Sequence, residues 1–220
     1  HSNIYMPELA HDLIEEINFA ARRSEYVDFK SGVSARMSIT AFENLVSTAK
    51  RRMLINNEDK TSIRLSDFTG IIPAINGKIE LVYEGEEQGA DQISFNLINE
   101  GVKTIFLRFF PEISKLEKPN EVSPYDKLLS WFVDNGTELF IGDEFTNKEY
   151  QDSIDEINPL NELIKKYCKE IKAEDVSFIK EVLLWGLSSF KKLSKNRMLD
   201  GIEFKDSLGS YLKNLNSDQL

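Results

Sequence analysis

The chain has 220 residues, 41% hydrophobic and 29% charged, with only 11 glycines and 6 prolines. That length buries a core without disulfides or metals, and the composition excludes wholesale disorder and favours helices over many short strands. The formal net charge of −10 is shared by both halves, and a negative surface repels phosphate backbones, which argues against direct nucleic-acid binding.

Cys168 is the only cysteine, so no internal disulfide forms and a reducing, cytoplasmic setting is expected. No apolar run approaches the roughly 20 residues that span a bilayer. The N-terminus, His1 to Pro7, lacks the cationic and apolar stretches of a signal peptide. It also lacks an initiator Met, so the chain reads as a piece of a longer protein.

In chain order, Pro7 suits a first helical turn. Leu9, Leu13, Ile17 and Ala20 then follow at helical spacing to about Arg23. Ser34 is placed to cap a second helix over 35–54, with Ile39, Phe42, Leu45, Val46 and Ala49 on one face. Ser66 is expected to cap a third over about 67–76, bent or stopped at Pro73. Residues 79–83 fit either strand or helix, and Glu84 to Gly89 read as a loop. The strongest helical pattern spans 90–110, from Ile93 through Phe109, and Pro111 stops it.

Residues 111–124 hold three prolines and alternating charges, the best candidate linker. Ser123-Pro124-Tyr125-Asp126 then starts a helix that ends near Gly136. Residues 137–141 are a strand candidate, and Thr146 to Glu149 spell a capping box. Asn158-Pro159 opens the next helix, and a long one is expected over 173–192. Residues 201–204 are expected to pair with 137–141, and a last helix to cover about 205–216.

Chemistry-bearing motifs are sparse. No G-x-x-x-x-G-K-[ST], G-x-G-x-x-G or G-x-S-x-G occurs. His11 and Glu15 stand four apart on one helix face and could touch an ion, but two ligands make a poor site and solvated surface is the simpler reading. Cys168 has no histidine near it in sequence and reads as a buried or idle thiol. Lys50-Arg51-Arg52 is explained by the dipole of a helix C-terminus more simply than by a phosphate-binding patch.

The segment Ser31-Gly32-Val33-Ser34-Ala35-Arg36 stands apart. It sets a glycine turn and a hydroxyl cap before an arginine in the first turn of an amphipathic helix. The dipole disfavours a cation there, whereas a guanidinium facing an anion grips phosphate oxygens with two donors. An arginine paired with Asp28 or Glu25 is the plainer alternative.

This stretch resembles the lid of MoxR-like and magnesium-chelatase-like AAA+ ATPases, where a G-x-S-x-R element opens a lid helix and supplies the sensor-2 arginine. The resemblance continues through Lys50-Arg51-Arg52, Ile63 to Phe68, Pro73 to Leu81 and Tyr83 to Gly89. It extends to Trp185-Gly186-Leu187 and Lys192 to Lys195. It implies a mostly α fold, with an AAA+ lid-type helical bundle over 1–111 and a second helical region over 124–220 holding at most a small strand pair. It implies a parent that binds ATP and Mg²⁺ and works as a ring of copies, a hexamer in this family. Arg36 would sense nucleotide in its own subunit or a neighbour's. The phosphate loop, the Mg²⁺-binding acidic motif and the arginine finger would belong to a core outside these residues, so no catalytic and no metal-ligating residue is expected here. The alternative is a stand-alone helical interaction or regulatory module that never meets ATP.

Overall fold

The computed structural model describes residues 3–28, 35–113, 123–134 and 138–207. It is mostly helical, with two small sheets. The chain forms two compact units, His1–Ile105 and Phe106–Leu220.

In the first unit, β1 (Ile4–Tyr5) leads into α1 (Glu8–Arg23), with Pro7 as the cap residue rather than inside the first turn. Leu9, Leu13, Ile14, Ile17 and Ala21 recur three or four apart and bury along one stripe of α1. α2 (Ala35–Ile55) buries Met37, Ala41, Leu45, Val46, Ala49 and Met53 and packs on α1. β2 (Thr61–Ser62) pairs in parallel with β1.

The expected third helix divides in two. A 3₁₀ segment, Leu65–Ile71, precedes α3 (Ile72–Asn76), whose first turn holds Pro73. Ser66 is not its cap. It lies buried inside the 3₁₀ segment, and the turn is closed instead by Asp67, whose carboxylate accepts from the Arg64 N–H at 2.8 Å.

Residues 80–82 run extended: Asp28 N donates to Glu80 O at 2.8 Å and Val82 N to Tyr26 O at 3.0 Å. The loop expected over Glu84 to Gly89 is instead α4 (Tyr83–Gln88). Two acids in its first turn suit the helix dipole, and Gly85 permits a close approach, since a Cβ there would collide with the Tyr26 carbonyl. Gly89, at φ +90°, turns the chain into α5 (Ala90–Phe109).

In the second unit, α6 (Asp126–Asp134) starts as expected: Ser123 N donates to Asp126 and Tyr125 N to Ser123 Oγ. Most of the expected linker, residues 114–122, lies outside the described residues. β3 (Leu139–Gly142) leads to α7 (Asn147–Asp155), where Thr146 and Glu149 form the capping box the sequence spells. α8 (Asn158–Tyr167) begins at Asn158-Pro159.

A 3₁₀ turn (Ala173–Asp175) and α9 (Val176–Ser189) replace the single helix expected over 173–192. Lys191 adopts φ +60°, and its N–H donates to Ser188 O while Lys192 N donates to Leu187 O, which ends the helix early. β4 (Leu193–Arg197) and β5 (Gly201–Asp206) follow. β5 pairs with β3 in the expected region, Leu139 opposite Phe204. The expectation of at most one strand pair in the second region is exceeded, since β4 adds a third strand in the order β3-β5-β4; β1-β2 form a separate pair in the first unit. Lys205 and Asp206 belong to β5 rather than to a final helix, and residues 208–216 of that expectation lie outside the described residues.

Candidate functional site

Arg36 stands in the first turn of α2 and is exposed. That turn carries no acid, so the dipole at this end and the guanidinium add as positive charge. Behind Arg36 runs a polar stripe at four-residue spacing. Thr40 Oγ1 donates to Arg36 O at 2.8 Å, Asn44 Nδ2 to Thr40 O at 2.8 Å and Thr48 Oγ1 to Asn44 O at 2.9 Å. The opposite face fixes the helix: Met37 and Ala41 are buried, Asn18 Nδ2 donates to Ser38 Oγ, and His11 stacks on Phe42 at 5.6 Å. The arginine therefore lies exposed at the start of a helix packed on α1, where a guanidinium and the helix N-terminus both favour an anion. The expected glycine-and-serine turn, residues 31–34, lies outside the described residues.

The other end of α2 is organised differently from the reading of Lys50-Arg51-Arg52 as three dipole-compensating charges. Lys50 and Arg51 are exposed, but Arg52 is 2% exposed and pairs with Asp67. Arg52 Nη2 also donates to Ser62 O at 2.8 Å and reaches Thr61 Oγ1 at 3.4 Å. It ties α2 to β2 and the 3₁₀ segment. Position 52 lies on the buried stripe that continues Leu45 and Ala49, the one signal in the sequence for this role.

His11 and Glu15 are both exposed on α1. Among the described residues no group of three His, Cys, Asp or Glu side chains is arranged to hold a metal ion. Cys168 is buried, and burial pushes its thiol up to about 11, which leaves it protonated and unreactive at neutral pH. No described helix is long and apolar enough to cross a membrane.

The second unit holds ionisable groups that the sequence reading missed. Tyr150 Oη donates to the fully buried Glu181, and Lys180 donates to Asp155. Burial pushes the Asp155 carboxyl up, but hydrogen bonds from Lys180 and Gln151 outweigh it, and the group sits below its usual value. On β4, alternation puts Leu193 and Lys195 on the face that packs on α9. Lys195 Nζ lies 3.7 Å from the ring centroid of Trp185, itself fully buried. Burial pushes the amine down to about 6.

Compared with known protein families, with curated proteins and with solved structures, the chain matches none at a significant level.

Proposed function

We propose that this chain is the lid and C-terminal helical region of a MoxR/magnesium-chelatase-like AAA+ ATPase, contributing nucleotide sensing and ring assembly to a chaperone-like motor. The observation that supports this reading is Arg36, exposed in an acid-free first turn at the start of a helix that packs on α1. A guanidinium there fits the phosphates of ATP, because it stays charged and offers paired donors. This reading assigns the ligands of Mg²⁺ to the ATP-binding core of a longer, cytoplasmic protein that assembles with copies of itself, as a hexamer. The residues here sense the nucleotide; they do not cleave it.

The test is Arg36→Ala in the ring-forming protein. ATP turnover or nucleotide-dependent assembly should fall while the melting temperature stays unchanged. Arg36→Lys should restore only part of the loss, since an ammonium lacks the two-pronged geometry. Normal turnover in a destabilised Ala variant would mean that Arg36 is a structural arginine, and the chain would then be better read as an interaction or regulatory module.

A further inference from the structure

Exposed large hydrophobic side chains occur singly along most of the described residues, which is ordinary. In two places they are adjacent: Leu54 and Ile55 at the end of α2, and Met198 and Leu199 at the turn between β4 and β5. Leu54 is 62% exposed and Leu199 fully so.

The β4–β5 turn is held in place. Met198 N donates to Gly201 O at 2.9 Å and Asp143 N to Asp200 O at 2.8 Å. Arg197 forks onto both oxygens of Asp143, at 2.9 and 2.7 Å, and its Nη1 also reaches Gly201 O at 3.2 Å. An apolar tip fixed this way loses little conformational freedom on binding. Its rim has carboxylates in slight excess: Asp200 and Glu144 are exposed beside the Arg197–Asp143 pair, with Lys148 following in the first turn of α7.

The end of α2 has the opposite rim. Lys50 and Arg51 stand one turn before Leu54 and Ile55, so each cation shares a face with one apolar side chain, and all four are exposed. The next turn adds Lys60 against Glu58 and Asp59, leaving cations in slight excess.

We propose that the Met198–Leu199 tip of one copy docks on the Lys50–Ile55 end of α2 of a second copy. The apolar pairs meet at the centre and the carboxylate rim faces the cationic one. The carboxylates of the rim disfavour an anionic bilayer as the occupant. The contact needs no nucleotide and does not depend on Arg36. Being heterologous, it repeats head to tail and builds a ring or a filament according to whether its rotation closes.

Sedimentation of the 220-residue chain without nucleotide tests it. Concentration-dependent association with a Kd below about 1 mM is expected. Leu199→Asp and Leu54→Asp should each weaken association by at least about tenfold with unchanged circular dichroism and melting temperature. The combined variant K50E/R51E should weaken it too, and adding E144K/D200K should restore it. Mixing Leu199→Asp with Leu54→Asp should give a one-to-one heterodimer that grows no further, because one partner keeps only its patch and the other only its tip. A wild-type chain that stays monomeric overturns the proposal, whether or not it binds phosphatidylserine vesicles. So does either single variant that still self-associates at full strength. Loss of the Arg36 effect on ATP turnover would leave every one of these outcomes unaltered.

Discussion

Two arginines on α2 illustrate how burial decides what a charge does. Arg36 is exposed, so Arg36→Ala should change the stability of the chain by no more than about 0.5 kcal/mol. Arg52 is enclosed with Asp67, so Arg52→Ala leaves a buried carboxylate without its partner and should cost about 3–5 kcal/mol. Denaturant melts of the two variants check both figures, and equal losses would contradict the distinction. Lys195 gives a third residue-level prediction, in pH. Its pKa in the folded chain is about 6, below the ordinary lysine value, so between these limits the unfolded state binds more protons. The Lys195 contribution to stability should therefore rise with pH from about 6 toward 10. The indole face of Trp185 favours the charged form and softens the rise without reversing it. Lys195→Met should be more stable than the parent chain at neutral pH and should flatten the slope. Melting temperatures of both proteins at pH 6, 7.5 and 9 would show it, and parallel curves would count against a desolvated amine.

At the scale of elements, α9 meets Phe106 where Gly186 leaves out a side chain, since a Cβ there would run into the ring. Phe106 is fully buried and already packed against Phe110, Tyr125 and Phe190. The ring has nowhere to move, so Gly186→Ala should destabilise the second unit by about 1–3 kcal/mol despite the better helix propensity of alanine. A Gly186→Ala variant that melts at or above the parent temperature would show that the ring yields. Most helices were legible because their apolar residues recur at 3.6, and two starts, at Thr146 and Ser123, also carry a cap residue that the sequence spells. The misses share one cause: the deciding group left no local mark. α9 stops at Phe190-Lys191 with no glycine or asparagine, through a left-handed lysine. β4 reads Leu-Ser-Lys-Asn-Arg, with one apolar residue, and is a strand only because β5 and α9 lie beside it. α4 hides behind two glycines that read as a loop, one of which is a close approach to Tyr26. That Arg36 stands in the first turn of a helix was legible; the tie through Arg52 needed the partner at Asp67, fifteen residues away.

For the whole molecule, the sequence has no phosphate loop and the described residues hold no metal-binding cluster. Phosphoryl transfer depends on a cradle of backbone amides and on Mg²⁺ to neutralise developing charge, and a single exposed arginine supplies neither. The net charge of −10 also repels a polyanion at long range. The isolated chain should therefore hydrolyse ATP no faster than buffer with Mg²⁺. Any weak nucleotide contact it makes should fade with added salt, because it rests on an exposed charge in water. The measurement is phosphate release by a purified chain, run beside Arg36→Ala. Turnover above background that disappears in a variant of any residue in this chain would place catalysis within these 220 residues and defeat the lid assignment. Background turnover from the chain, together with a loss in the Arg36→Ala ring-forming protein, would divide the labour as proposed: chemistry in the core, and sensing at the first turn of α2.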